Sequence, residues 1–294
     1  MRAYTYTVAG HTFRITADEG LDLSQALAHY APFAREAEAG STDPVFRLDV
    51  LAQEALPAPA GLVPELEQDD DGSQIRVFRT TEGGSWFEFL LRGKLSGRLQ
   101  AAPGFTEAKL SLHAHPDFAL NNALMVLYAL RTARMGTALF HAAVVAYKGY
   151  GYLFLGRSGT GKSTHARLWT EHLPGAELLN DDNPVVRVFP DGKARVYGSP
   201  WSGKTPCYRN ESLPAGGLVQ LAQAPQNAIR RLHGIAAYAA LVPSISGKRW
   251  DRAVADGLHE TENSLAAHVP VWHLDCLPDE AAAHLCCGHI AAGQ

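Results

Sequence analysis

The chain contains one stretch whose residue types and spacing are suited to binding phosphate. Gly156, Gly161, Lys162 and Ser163 fit the pattern G-x-x-x-x-G-K-[ST]. Glycines let successive backbone N–H groups curl round an anion, and a helix that begins inside the motif points its positive end at the same anion. The lysine supplies a charge for the β- and γ-phosphates, and the serine hydroxyl can hold Mg²⁺. The stretch therefore predicts a site for a nucleoside triphosphate, with Mg²⁺ held by the serine hydroxyl.

The residues on either side of this loop provide the context that the motif needs. Residues 151–155 predict a buried strand, and residues 162–173 predict a helix. A strand–loop–helix arrangement favours a phosphate-binding loop over the alternative, a glycine-rich turn that happens to carry a lysine. The residues expected to contact the nucleotide are Gly156, Arg157, Ser158, Gly159, Thr160, Gly161, Lys162, Ser163 and Thr164.

An acidic pair follows the loop at short range. Asp181 and Asp182 come 19 residues after Lys162, at the end of a short apolar run. A right-handed crossover would bring that run back beside the first strand, so both carboxylates would emerge at the edge that binds phosphate. One carboxylate would help to hold Mg²⁺ and the other would accept the proton of an attacking hydroxyl. The alternative is that Asp-Asp-Asn-Pro is only a turn signal.

Three further residues are candidates for the same site. His141 precedes the strand before the loop and could orient an aspartate, although a lone histidine on an apolar strand is more often a core residue. Lys204 and Arg209 lie in a Gly/Pro/Ser-rich segment and could stabilise a transferring phosphoryl group. They could equally be solvated surface charges.

Composition excludes several classes of protein. The net charge of −4 gives no basic footprint for nucleic acid, and no apolar run is long enough to span a membrane. The four cysteines form no C-x-x-C pair or zinc spacing, which favours reduced thiols in a cytoplasmic protein. His113 and His115 form an H-x-H pair without a third ligand nearby in sequence, so a metal site there is the less favoured alternative.

The pattern of apolar residues predicts an α/β (α+β) chain with two domains. Residues 1–115 predict a mostly antiparallel, β-rich domain with a short helix near residues 23–34, a loop near 38–42 and a solvated acidic turn at 67–72. Residues 116–294 predict the phosphate-loop core. Its predicted elements include a helix over 116–135, a strand over 138–146 that carries His141, a hairpin over 185–197, a helix within 230–241 and a closing helix from 280.

These motifs resemble a known superfamily. The succession of His141-Ala-Ala, the loop at 156–163 and Asp181-Asp182 is similar to the pattern of the HPr kinase/phosphorylase and phosphoenolpyruvate carboxykinase superfamily. The segments 198–204 and 271–278 further resemble a subgroup of HPr-kinase-like bacterial proteins of about this length.

The resemblance implies a kinase core in which a sheet surrounds the phosphate loop and ATP and Mg²⁺ bind at its mouth. Transferred to matching positions, it makes Asp181 the general base and His141 the residue that tunes it. Ser163 and Asp182 become the metal ligands.

The leading hypothesis is an ATP- and Mg²⁺-dependent kinase whose acceptor is a hydroxyl, either a serine of a protein or peptide or a small molecule. A second hypothesis is a regulator that binds ATP without transfer chemistry. A third is a small-molecule kinase of the adenylate-kinase type, which is less favoured because the region after residue 205 has no arginine-rich lid. The sequence leaves open the acceptor and whether the chain forms a homo-oligomer.

Overall fold

The structure is a computed structural model that describes residues 2–35, 43–52, 56–57, 61–203 and 205–292. The loop expected near 38–42 lies outside the described residues. The chain divides into two compact units, Met1–Arg131 and Thr132–Gln294. The first unit thus includes most of the helix at 116–132. Within the described ranges, no helix has the length and apolar character needed to cross a membrane.

The first unit contains an eight-stranded sheet within its described residues. Its strands are β1 Arg2–Val8, β2 His11–Ala17, β3 Arg47–Leu51, β4 Leu66–Asp70, β5 Ser73–Arg79, β6 Ser85–Leu91, β7 Lys94–Ala101 and β8 Glu107–Leu112. Their order is β1-β2-β3-β8-β7-β6-β5-β4, and the β2–β3 and β3–β8 pairs are parallel whereas the others are antiparallel. The prediction of a mostly antiparallel, β-rich region is confirmed.

Alternating side chains build the core of this unit. In β2, Phe13 and Ile15 are buried, whereas the neighbouring Thr12 and Arg14 are partly exposed, because successive side chains of a strand point to opposite faces. The Phe13 ring stacks on Phe46 with centroids 4.9 Å apart. Helix α1, Pro116–Thr132, follows β8 as the sequence predicted.

Two expectations for this unit are corrected. The helix expected near 23–34 is only a 3₁₀ helix over Ala28–Phe33, with Pro32 inside it, and proline disfavours a longer α-helix. The acidic run is not simply a turn. Residues 66–70 form β4 at the edge of the sheet, and the turn follows at Asp71 and Gly72, both of which have positive φ.

The second unit is also mixed α/β. It contains strands β9 Thr137–Leu139, β10 Ala142–Tyr147, β11 Tyr150–Leu155, β12 Glu177–Asp182, β13 Val185–Val188, β14 Ala194–Tyr197, β15 Ser212–Gln223, β16 Ala228–Leu232 and β17 Val271–Cys276. Its helices are α2 Lys162–His172, α3 Gly234–Leu241, α4 Arg252–His268 and α5 Glu280–Ile290. The strand order is β12-β10-β11-β15-β14-β13-β9, with β17 added to β15 and β16 to β17.

One edge of this sheet collects the ends of several strands. β10 is antiparallel to both β11 and β12, so β11 and β12 run in the same direction. β15 is parallel to β11, and β17 is parallel to β15. The carboxyl ends of β11, β12, β15 and β17 therefore lie at one edge, together with the amino end of β10.

The order of these strands corrects one sequence prediction. β12 was expected to lie directly beside β11, but β10 lies between them. A tight turn at Lys148 and Gly149, both with positive φ, folds β10 back on β11 as a hairpin and occupies that side of β11. The expected common direction of β11 and β12 is nevertheless observed.

Two predicted elements are also divided. The strand expected over 138–146 breaks at Phe140 and His141 because β9 pairs with β13 whereas β10 pairs with β11 and β12. The backbone N–H of His141 donates instead to Ser244 O at 2.7 Å. The helix expected within 230–241 begins only at Gly234, since the preceding residues form β16 against β17.

Two helical glycines allow a matched test of packing. We expect Gly257→Ala in α4 to destabilise the protein by about 1–3 kcal/mol, because the new Cβ would lie 2.6 Å from Ala133 O and 2.8 Å from Arg134 Cα. We expect Gly288→Ala in α5 to stabilise it by about 0.5 kcal/mol, because a Cβ there contacts nothing within 4 Å and alanine favours helix. Urea unfolding of both variants measures the difference. Equal shifts for the two would contradict this account of Gly257.

Candidate functional site

The segment between β11 and α2 has the backbone shape that its glycines predicted. Gly156, Gly159 and Gly161 all have positive φ, a conformation that favours glycine. A Cβ added at Gly156 would overlap the side chain of Thr160. The Thr160 hydroxyl donates to Arg157 O at 2.8 Å, so the loop is closed by its own residues. We call residues 156–161 the phosphate loop, after the sequence motif that they match.

Aromatic packing holds α2 against β11. Trp169 is fully buried and its ring lies 5.3 Å from that of Phe154 on β11. The indole Nε1 of Trp169 donates to His165 Nε2 at 3.1 Å, and the His165 N–H donates to Gly161 O at 2.8 Å. The positive end of α2 is thereby held against the phosphate loop.

Lys162 is directed to the edge of the sheet. Its side chain is largely buried, and Nζ donates to Gly156 O at 3.0 Å and Arg157 O at 3.2 Å. Nζ also lies 2.8 Å from His141 Nε2. Because an ammonium group can only donate, His141 Nε2 accepts in this contact.

His141 links the lysine to one aspartate. Its Nδ1 lies 2.9 Å from Asp182 Oδ1. With Nε2 accepting from Lys162, the ring proton of neutral His141 resides on Nδ1 and is donated to Asp182. The other carboxylate oxygen of Asp182 accepts from Asn183 Nδ2 at 2.8 Å. Lys162, His141 and Asp182 thus form one hydrogen-bonded chain.

Asp181 has a different set of partners. Its Oδ1 accepts from the Ser163 hydroxyl at 2.7 Å. Its backbone carbonyl accepts from Gly203 N at 2.6 Å and from the Ser202 hydroxyl at 3.1 Å. Asp181 is only 4% exposed, whereas 34% of the Asp182 side chain is exposed. The two neighbouring carboxylates therefore differ in solvent exposure as well as in their hydrogen-bond partners.

His141 and Ser163 contact the opposite aspartates from those that the resemblance implied. His141 was expected to pair with Asp181, and Ser163 with Asp182. In the structure Asp182 lies opposite Ala142 in the strand register, which places it next to His141. Asp181 and Asp182 are consecutive, and neighbouring residues of a strand project to opposite faces. Asp182 also has φ of 133°, a conformation rare for a residue other than glycine.

Lys204 and Arg209 were the two cationic residues that the sequence offered for the phosphates. Lys204 lies outside the described residues. Arg209 donates to both oxygens of Glu211, to Glu177 at 3.0 Å and to Leu178 O at 2.9 Å. The bonds to Glu211 and Glu177 raise the pKa of Arg209. Glu177 begins β12 and Asp182 ends it, so the structure does not bring Arg209 to the aspartates.

Sequence reasoning missed several residues that support the site. Asn180 is fully buried, and its Nδ2 donates to Ser199 Oγ at 3.2 Å and to Trp201 O at 3.3 Å. These bonds hold the segment after β14 against the end of β12. Gln223, at the end of β15, donates from Nε2 to Gly159 O at 3.0 Å. A single amide side chain carries no motif, so only the fold identifies Asn180 and Gln223.

The donor set fits Mg²⁺ with a phosphate ligand better than a metal held by protein alone. In the described ranges, no group of three or more His, Cys, Asp or Glu side chains could hold a metal ion. Ser163 and Asp181 offer two hard oxygen donors at the mouth of the phosphate loop. Mg²⁺ commonly binds through one or two protein oxygens and completes its shell with water and substrate phosphate.

His165 gives the protein a pH-dependent stability. Burial lowers the pKa of this histidine to about 4. Between pH 6.5 and 4 the unfolded chain therefore binds a proton that the folded chain does not, and stability falls as pH falls. We expect wild type to lose about 2 kcal/mol more than His165→Gln between pH 7 and pH 5. Glutamine keeps an acceptor for Trp169.

The control for this measurement is His284→Gln, because the His284 side chain is 53% exposed on α5. Urea unfolding at the two pH values measures all three proteins. An equal loss of stability in wild type and His165→Gln would contradict the assignment to His165.

Comparisons of the sequence with protein-family models and with curated proteins find no match.

Proposed function

We propose that this protein is an ATP- and Mg²⁺-dependent kinase that transfers the γ-phosphoryl group to a hydroxyl. The observation that carries the proposal is the hydrogen-bonded cluster at one sheet edge: Lys162, His141 and Asp182 in one chain, and Ser163 with Asp181 beside it. Phosphoryl transfer needs positioned charge for the phosphates and a carboxylate for the hydroxyl proton, and this cluster offers both. The proposal includes a core of the HPr kinase and phosphoenolpyruvate carboxykinase type.

The phosphate loop and Lys162 would bind the triphosphate. Backbone N–H groups of the loop and the start of α2 favour an anion, and Lys162 can exchange its present carbonyl acceptors for phosphate oxygens. Ser163 and Asp181 are assigned to the metal, which would neutralise charge that develops on the β- and γ-oxygens. The low exposure of Asp181 suits a residue that holds an ion rather than one that meets a second substrate.

Asp182 is assigned as the general base. Its carboxylate is partly exposed and can reach an acceptor hydroxyl, whose proton it would take as the oxygen attacks the γ-phosphorus. His141 is a positioning residue, because its Nδ1–H fixes the orientation of Asp182 while Lys162 fixes the tautomer of His141. This assignment exchanges the roles of Asp181 and Asp182 that the resemblance implied, and it keeps His141 and Lys162 in the site.

The acceptor class is a serine of a protein or peptide, or a small alcohol, and the reaction is placed in the cytoplasm. The four cysteines are free thiols, as expected in a reducing compartment. A regulator that binds ATP without transfer is the principal rival, because the phosphate loop alone would serve it.

Transfer of a radioactive label tests the proposal. The protein is incubated with γ-labelled ATP, Mg²⁺ and either the protein fraction or the metabolite fraction of a cell lysate. We expect label to appear as an O-phosphate in one fraction and to disappear when EDTA removes Mg²⁺. α-Labelled ATP is the control, since its label should stay in the nucleotide. ATP binding without γ-label transfer to either fraction would favour the regulator.

A further inference from the structure

The backbone of His141 lies where the sheet of the second unit is interrupted. Strand β9 ends two residues before His141, and β10 begins directly after it. The His141 N–H donates to Ser244 O at 2.7 Å, and the Ser246 N–H donates to Leu139 O at 2.9 Å. The chain that contains these two serines therefore takes the place of a neighbouring strand beside His141. We call residues 242–246 the supporting segment.

A buried carboxylate is connected to the supporting segment. Glu262 of α4 is fully buried, and its Oε1 accepts from Arg249 Nη2 at 2.5 Å. The same Nη2 lies 3.3 Å from Val242 O and donates to it at the start of the supporting segment. Arg249 thus joins Glu262 to the backbone that leads to Ser244.

Tyr238 of α3 is the second partner of this carboxylate. Its hydroxyl lies 2.9 Å from Glu262 Oε2, and burial together with this hydrogen bond raises the pKa of Tyr238. The phenol therefore keeps its proton and donates it to Glu262, while its oxygen accepts from His259 Nδ1 at 2.9 Å. Because α3 leads directly into the supporting segment, Glu262 holds both the helix before this segment and the arginine after it.

Helix α4 anchors Glu262 to the rest of the second unit. It packs against β9 and against residues 133–135 that precede β9. Gly247 directly follows the supporting segment, and a Cβ there would overlap the side chain of Leu258 on α4. The backbone after the supporting segment therefore lies directly on α4, next to the helix that carries Glu262.

Stability alone does not account for the buried pair of Glu262 and Arg249. Taking charges out of water costs about as much as their attraction offsets, and apolar residues of similar volume often replace such a pair without loss of stability. Apolar residues cannot supply the directed hydrogen bonds that run from Arg249 to Glu262 and to Val242. The pair is therefore suited to fixing a position.

We infer that Glu262 is a positioning residue for His141. Through Arg249 and Tyr238 it fixes the supporting segment, and this segment fixes the backbone from which the His141 ring reaches Asp182. The inference rests on the proposed function, because the orientation of His141 affects transfer only if Asp182 acts as the base. The link from Glu262 to the His141 N–H is a separate element, and it can be measured without any substrate.

Hydrogen exchange of the His141 backbone amide, followed by NMR, tests this link. The double variant Arg249→Met/Glu262→Met keeps the volume of both side chains and leaves no uncompensated buried charge. We expect its His141 amide to exchange about tenfold faster than in wild type, because the acceptor Ser244 O is no longer fixed. The reference is the Leu173 amide at the end of α2, which should keep its wild-type rate.

Two single variants accompany the double variant. Tyr238→Phe removes one donor to Glu262 and keeps the ion pair, so it should give a smaller increase in exchange at His141. Glu260→Gln changes an exposed glutamate of the same helix, and its His141 amide should exchange as in wild type.

Two exchange results would overturn the inference. One is an unchanged exchange rate of the His141 amide in both the double variant and Tyr238→Phe. The other is an equal increase at His141 and Leu173, because that would report a loss of stability throughout the unit.

Transfer of γ-label to the lysate fraction that accepts it supplies the functional measurement. We expect the double variant to lower the maximal rate of transfer about tenfold and to leave the calorimetric affinity for ATP unchanged. A pair that served stability alone would shift the urea midpoint and leave the maximal rate at the wild-type value. Faster exchange at His141 with an unchanged maximal rate would overturn the role of Glu262 in transfer. Absence of transfer by wild type would instead overturn the proposed function, while the exchange rates would still decide whether Glu262 holds the His141 backbone.

Discussion

Asp182→Asn is expected to lower the rate of phosphoryl transfer by about 10³-fold while ATP affinity stays within a few-fold of wild type. Asparagine keeps the size of the side chain and can still accept from His141 Nδ1, but it cannot take up the hydroxyl proton. Asparagine also tolerates unusual backbone conformations better than most residues, which matters at φ of 133°. Transfer of γ-label and calorimetric ATP titration measure the two quantities.

Two variants make the Asp182 result specific. Asp191→Asn changes an exposed turn between β13 and β14 and should transfer at the wild-type rate. Asp181→Asn should instead raise the Mg²⁺ concentration needed for half-maximal transfer, and excess Mg²⁺ should restore part of its activity. If excess Mg²⁺ rescued Asp182→Asn and not Asp181→Asn, the roles given to the two carboxylates would be reversed.

Lys162→Ala is expected to weaken ATP binding by about 10²-fold and to reduce transfer at least as much. The ammonium group would make charge-assisted hydrogen bonds to phosphate oxygens, each worth about 1.5–3 kcal/mol, and alanine removes them. It also removes the donor to His141 Nε2, so the ring is no longer restricted to the tautomer that serves Asp182. Calorimetry and transfer assays on the same preparation measure both effects.

Lys193→Ala is the control for the lysine, because Lys193 is 81% exposed and pairs only with Asp191 among the ion pairs observed for the described residues. It should bind ATP as wild type does. Unfolding of Lys162→Ala in urea should differ from wild type by only about 1 kcal/mol, since the loop carbonyls that lose the lysine can bind water. Unchanged ATP affinity in Lys162→Ala would remove the basis for a phosphate site at this loop.

Local sequence patterns were sufficient for much of the second unit. The G-x-x-x-x-G-K-S motif predicted the turn between β11 and α2, and Gly156, Gly159 and Gly161 in this turn have positive φ. The hairpin over 185–197 and the closing helix after Asp279 also form as predicted, and Asp279 accepts from Ala282 N as a cap. In each case the signal lies within a few consecutive residues.

Long-range pairing accounts for what the sequence did not predict. Apolar residues on both sides of Phe140 and His141 read as one continuous strand, and only the separate partners of β9 and β10 divide it. Arg209, a cation in a glycine-rich segment, was a candidate for the phosphates, with a solvated surface charge as the equal alternative. Its position depends on Glu177 and Glu211, whose proximity follows from the fold and from no local motif.

Long-range strand pairing also decides which aspartate is the hydrogen-bond partner of His141. Sequence spacing places Asp181 and Asp182 at the correct edge, but adjacent residues differ in the face that they present. Whether His141 meets one or the other depends on the register between β10 and β12, which pairs Ala142 with Asp182. A shift of one residue in that register would exchange the two partners.

At position 182, the backbone conformation and the proposed function favour different residue types. Backbone energetics at φ of 133° favour glycine, whereas the proposed chemistry requires a carboxylate. Asp182→Gly would relieve the backbone strain at this position, but it would also remove the hydrogen bonds of the carboxylate to His141 and Asn183. Position 182 therefore carries a backbone cost that the proposed role of its carboxylate as general base would explain.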